Sequence, residues 1–241
     1  MTTDLHTTAA PHAPGAATPP ASRSAAGERD VRSAGQLMLP IAGGALIAGT
    51  LLYSAGLATS PPQDSMAAAD YIASLARDEG RTALSALLLH YGNLAMGLAW
   101  LAAPALVRGR RGRVPTVVGA LMAALGLVTV AGNVLFDFWT GSVGRLLAPG
   151  TAASVFGDVQ GSPAVAVIGT VTLVGLLGPL VAYAGLARAG VTGWWLLAPA
   201  VAALGLSMAL PFSPLPFAVV SLLGAVPAVV LGVLLVRRAR A

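Results

Sequence analysis

Six runs of apolar residues, separated by polar or Pro/Gly-rich stretches, set the pattern of the chain: about 37–58, 83–107, 115–136, 164–187, 194–210 and 215–236. A helix of about 20 residues, rising about 1.5 Å per residue, crosses a hydrocarbon core of about 30 Å. Five runs have that length and the fifth in order falls a little short, so the pattern predicts an all-α protein, a polytopic membrane helix bundle with six transmembrane helices. Trp194 and Trp195 bound the fifth run on one side and "PFSPLP" (211–216) bounds it on the other. Pro211, Pro214 and Pro216 argue for a turn there, making the fifth and sixth runs a tight helical hairpin rather than one bent segment.

Ahead of the first run, residues 1–35 are rich in Ala, Thr, Pro and Ser and show no apolar face. Such a segment is expected to be a disordered tail, leaving residues 36–241 as the membrane domain. The first apolar run starts too late for a secretory signal and is expected to be a retained helix. Residues 60–81 read as a short helix capped by Asp64 or Ser65, with Met66, Ala69, Ile72, Ala73 and Ala76 at helical spacing and Gly80 as its stop. The stretch 138–164 mixes apolar residues with Gly and Pro and is expected to dip into the interface or cap the outer mouth. Ser162 and Pro163 suit the start of the fourth span.

Composition agrees with a membrane protein: of 241 residues, 56% are hydrophobic and only 10% charged. Cysteine is absent, which removes disulfides, thiolate nucleophiles, Cys-ligated zinc and iron–sulfur clusters. Every basic residue besides histidine is arginine, and the arginines decide the orientation. With the N-terminus inside, Arg23, Arg29, Arg32, Arg108, Arg110, Arg111, Arg113, Arg188, Arg237, Arg238 and Arg240 lie inside, and only Arg77, Arg81 and Arg145 outside. The positive-inside rule therefore predicts both termini cytoplasmic. The basic pI of 10.7 comes from these short groups beside apolar spans, without the aromatic and basic surface that reads bases, so no nucleic-acid partner is expected. The expected partners are the lipid bilayer and either a second membrane protein or further copies of the chain.

Polar side chains inside the spans are the candidate chemistry. An unpartnered polar group is costly in lipid, so such residues normally face the bundle interior and find one another. In "LLLHYGNLAMG" (87–97), His90 and Asn93 are three residues apart, and in "GNVLFDFW" (132–139) Asn133 and Asp137 are four apart, so each pair shares a helix face. The two spans carrying them are joined by a short basic link and must be antiparallel neighbours. Tyr53 has a similar depth in the first span. These five residues, Tyr53, His90, Asn93, Asn133 and Asp137, form the expected outer-leaflet cluster. A His–carboxylate pair with amide and phenol groups around it can relay protons or hold a headgroup or ligand. The alternative is that His and Asn simply join helices, each bond contributing about 0.6–2 kcal/mol. Metal and haem are not expected, because the membrane domain holds a single histidine.

Other features narrow the classes. Pro179, Pro199 and Pro227 fall only in the second half, so an inverted transporter repeat is not visible, and close packing through Gly and Ala is the simpler reading. Trp139, Trp194 and Trp195 suit interfacial anchors. GxSxG, HExxH, P-loop and Rossmann motifs are absent. The six spans, the Ala/Pro-rich tail, "HYGNLAMGLAWL" and "GNVLFDFW" together resemble the six-helix integral membrane proteins common in GC-rich bacteria. That resemblance covers residues 37–236, implies architecture and a bacterial plasma membrane location, and transfers no site or cofactor. The first functional expectation is a non-enzymatic multi-pass protein with an outer polar pocket. The alternatives are a small proton-coupled transporter or permease using His90 and Asp137, and an intramembrane enzyme acting on lipids.

Overall fold

The computed structural model describes residues 23–65 and 67–240, with side chains from Leu37 onward. Among the described residues the regular structure is entirely helical: α1 (Arg23–Thr59), α2 (Ala68–Arg77), α3 (Glu79–Trp100), α4 (Arg113–Val134), α5 (Phe136–Leu146), α6 (Pro149–Gln160), α7 (Pro163–Arg188), α8 (Leu197–Ala209) and α9 (Pro214–Arg240). Five stretches of the described residues are long and apolar enough to cross a membrane: Leu37–Thr59, Glu79–Leu106, Arg113–Leu146, Pro163–Arg188 and Pro214–Arg240. The run expected at 194–210 forms a short 3₁₀ turn and the 13-residue α8. Together Trp194–Ala209 extends roughly 24 Å, short of the hydrocarbon thickness. α1 begins at Arg23, ahead of the expected end of the tail, while residues 1–22 of that tail and Met66 of the expected loop helix lie outside the described residues.

Small residues bring the long helices together. Along α4 and its leading turn, Gly112, Thr116, Gly119, Ala123 and Gly126 recur at alternating spacings of four and three, facing Gly175, Gly178, Ala182 and Gly185 of α7. A Cβ built at Gly178 would stand 2.7 Å from the Cα of Ala123 and 2.8 Å from the carbonyl oxygen of Gly119, so the two backbones are in direct contact. Lipid tails are as apolar as leucine, so this association rests on close dispersion contact, which only such residues permit. Gly112 also carries φ +76°, a left-handed value that glycine adopts without strain, while lying against Gly185 and Ala189. The same device joins α1 to α3 at Gly49 and Gly92, and α1 to α9 at Gly43 and Gly232. The Ser221 hydroxyl adds a bond to Ser54 Oγ at 2.7 Å.

These contacts, with those of α3 to α4, α7 to α8 and α8 to α9, arrange six helices as a ring in the order α1, α3, α4, α7, α8, α9. Leu46, Trp100, Tyr183, Leu186 and Leu231 are buried in it, and the Trp100 and Tyr183 rings meet edge to face at 5.1 Å. The outer surface carries exposed Leu51, Leu98, Leu121, Leu125, Leu173 and Val219, an apolar belt of the kind a bilayer covers.

The remaining helices gather at one end. α2 buries Ile72 and Leu75 against α5, where a Cβ at Gly144 would come within 2.7 Å of Ile72 Cγ2. α5 continues from α4 after a bend at Leu135, marked by tight three-residue bonds from Leu135 N–H to Gly132 and from Phe138 N–H to Leu135, both 3.2 Å. The stretch 138–164 is thus largely helical, forming most of α5 and all of α6. Gly80 is not the stop of α2. That helix ends at Arg77, and Asp78 instead caps α3 by accepting the Arg81 N–H at 2.9 Å, placing Gly80 in the first turn of α3. Nor does Asp64 or Ser65 cap α2, whose N-cap is Ala67; Ser65 accepts from the Ala67 N–H at 3.1 Å and donates to Asp70. Ser162 does cap α7, accepting from Val165 N–H at 3.4 Å, with Pro163 at the first helical position. The opposite end carries Arg108, Arg110, Arg111, Arg113, Arg188 and the arginines closing α9.

Candidate functional site

His90 reaches across to α4. Its Nδ1 lies 2.8 Å from the carbonyl oxygen of Ala131, and because a carbonyl only accepts, Nδ1 carries the proton. The bend explains why that carbonyl is free. The Leu135 N–H, which would close the regular helical bond to Ala131, turns instead to Gly132. His90 thus supplies the donor that the α4–α5 bend withdraws, and Ala131 itself is fully buried. No hydrogen bond or ion pair joins His90 to Asp137 among the described residues.

Asp137 has a different partner. Its Oδ1 accepts from the hydroxyl of Tyr71 on α2, 66 residues earlier in the chain. Burial of the Tyr71 ring, then the negative charge of Asp137, then the hydrogen bond itself hold the phenol protonated well above the ordinary tyrosine range. Tyr71 is a site residue that spacing did not single out; the signal available was a phenol beside the apolar face of an amphipathic helix. Phe156 of α6 packs on Tyr71 at 5.6 Å between ring centroids, and Phe136 stacks on Trp139 at 4.6 Å.

Beside this pair runs an open groove of about 960 Å³ between α4, α5, α6 and α7. Asn133, Asp137 and Gln160 give it a polar rim, while Val128, Val165 and Ile168 line its apolar part. Asn133 is exposed and its side chain makes no hydrogen bond with another described residue. Val128 precedes Asp137 by nine residues, roughly 14 Å of helix, so groove polarity changes along its length.

Tyr53 and Asn93 belong elsewhere. They line a second, smaller cavity of about 240 Å³ inside the ring, bounded by α1, α3, α4, α7, α8 and α9. The Asn93 amide donates from Nδ2 to the carbonyl oxygen of Leu89 at 2.7 Å, and its Oδ1 has no partner among the described residues. The five residues expected in one cluster therefore divide into three places: Asn133 and Asp137 at the outer groove, Tyr53 and Asn93 at the inner cavity, and His90 on the helix bend. Among the described residues no three His, Asp or Glu side chains gather in a group able to hold a metal.

The apolar belt and the five long helices define the class as a membrane-embedded helical protein. Comparison with protein-family models, with curated proteins and with solved structures finds no match to the chain, so the site alone carries the functional reading.

Proposed function

We propose that this is a multi-pass protein of a bacterial plasma membrane, with both termini and the arginine-rich end in the cytoplasm, whose outer groove binds an amphiphile bearing a cationic head. The observation that carries the reading is Asp137, the one carboxylate among the described residues of the groove lining, standing in a polar rim above an apolar wall. Asp137 Oδ1 is engaged by Tyr71, whereas among the described residues Oδ2 forms no hydrogen bond and no arginine pairs with either oxygen. A carboxylate offers about four lone-pair sites, so it has capacity for a further, charge-assisted bond. Asn133 and Gln160 supply amides on either side, and the valine and isoleucine surface accepts a hydrocarbon chain. A transporter built on a His90–Asp137 pair lacks such support, since each side chain is held by another partner.

The reading is tested with protein in phosphatidylcholine nanodiscs, titrated with dodecylamine, which is protonated at pH 7, and with neutral 1-dodecanol as its twin. The amine is expected to bind more tightly, and Asp137→Asn, which keeps an oxygen for Tyr71, to weaken amine binding by about tenfold, or about 1.4 kcal/mol. Equal affinity of wild type and Asp137→Asn for the amine would end the proposal.

A further inference from the structure

The inner cavity differs from the outer groove in every respect that matters for recognition. It is about 240 Å³, below the usual range for drug-sized ligands of about 300–1,000 Å³, and its walls are mostly apolar, the hydroxyls of Thr50, Ser207 and Ser221 being bonded to carbonyls of their own helices. One polar group in that wall is unsatisfied. Asn93 is 1% exposed, and since the Leu89 carbonyl can only accept, the amide must turn its nitrogen there, leaving Oδ1 as a bare acceptor. Leaving a buried acceptor unpaired costs about 1–3 kcal/mol, and an aliphatic side chain of the same size would avoid that cost. The cavity is also partly open. α8 supplies part of its wall although none of its residues is buried, and the facing Leu176 of α7 is 37% exposed.

We infer that this cavity is a binding site for a small apolar molecule bearing one hydroxyl, admitted from the lipid between α7 and α8. Asn93 Oδ1 is covered by its neighbours, so the hydroxyl donates to it once they part, and it accepts from a phenol, for which Tyr53 and Tyr183 both stand in the wall. A hydroxyl is the smallest uncharged organic group that answers both needs on one atom. A carboxylate or an ammonium would add a charge that no residue of this wall neutralises. The hydrocarbon body rests on Leu127, Leu180 and Leu204.

The absence of cysteine gives a clean test. Ser207, in the wall on α8, is replaced by cysteine, and its rate of reaction with methyl methanethiosulfonate is followed in nanodiscs. Two probes are compared, 1-octanol and nonane, which differ by a hydroxyl in place of a methyl. The expected result is that 1-octanol protects Cys at this position at about tenfold lower concentration than nonane, the preference that one hydrogen bond in an apolar site provides. In Ser207→Cys with Asn93→Leu the two probes are expected to protect equally. Asn93→Ala in the same background carries the same expectation should the leucine variant not fold. Equal protection by the two probes with Asn93 intact overturns the inference, as does a preference for octanol that survives loss of the amide. Extraction of the purified protein separates the sources: a co-purifying long-chain alcohol assigns the site to a membrane lipid, and octanol-selective protection without one assigns it to a free small alcohol.

Discussion

Replacing Gly178 of α7 by alanine adds one carbon at the closest approach of two long helices. Ordinary carbon contacts need about 3.5–4.0 Å, whereas this Cβ would stand 2.7 Å from the Ala123 Cα and 2.8 Å from the Gly119 oxygen. The obstructing atoms are backbone, so no rotamer relieves the clash, and α4 and α7 have to part by roughly 1 Å. A gap of that size forfeits about a quarter to a half of each contact well along the shared face, and overpacking of this kind costs about 1–3 kcal/mol. Gly169 on the same helix is the internal control. A Cβ there meets nothing within 4 Å, and helix preference alone favours alanine by up to about 1 kcal/mol. That preference applies at both positions and cancels between them, so Gly178→Ala should be the less stable of the two by about 1–3 kcal/mol. Reversible unfolding by dodecyl sulfate in mixed micelles, followed by far-UV circular dichroism, measures both. A Gly178→Ala protein as stable as Gly169→Ala would refute the direct backbone contact of α4 and α7.

Three further outcomes are expected. His90→Ala strands the Ala131 carbonyl and should lower stability by about 1–2 kcal/mol in the same unfolding assay, whereas an unchanged midpoint would show that the bend needs no donor from α3. Tyr71→Phe should alter the alkaline limb. The phenol ionises near pH 10 when unfolded and only at higher pH when folded, so its contribution is complete below about pH 10 and is lost as pH rises beyond it, by up to about 1.4 kcal/mol per unit. The variant should lose less between pH 10 and 11 than wild type, and identical slopes would count against a protonated buried phenol. Single cysteines at Gly150 and Gly109, both exposed with nothing near the added Cβ, test orientation: an impermeant maleimide on intact cells should label the first and spare the second, and the reverse pattern would invert the proposed topology.

Hydrophobic periodicity made the long helices legible because each of them is apolar around most of its circumference and bounded by arginine, proline or a capping serine. The helices at 136–160 were less so. Their residues alternate Gly, Pro and apolar side chains, and what orders them is contact with α2, a segment some 70 residues away that local pattern cannot supply. The candidate residues fared similarly. Helical spacing places His90 beside Asn93 and Asn133 beside Asp137 on their own helices, but the rotation of one helix against the next is set by which glycines meet. Gly49 against Gly92 carries Asn93 towards α1 and the cavity, and the bend at Leu135 turns Asp137 towards Tyr71. The partner of His90 was beyond any side-chain pattern, being a backbone carbonyl released by an irregularity in another helix.

The shortness of α8 reaches beyond the protein into the membrane around it. Trp194–Ala209 falls roughly 6 Å short of a hydrocarbon core of about 30 Å, while its neighbours α7 and α9, at 26 and 27 residues, exceed that thickness. Lipid beside α8 must thin where lipid beside the opposite wall need not, at fractions of a kcal/mol per Å of mismatch. The molecule thus meets its bilayer asymmetrically, with strained lipid confined to one flank, and short-chain lipids should collect there in preference to long-chain ones.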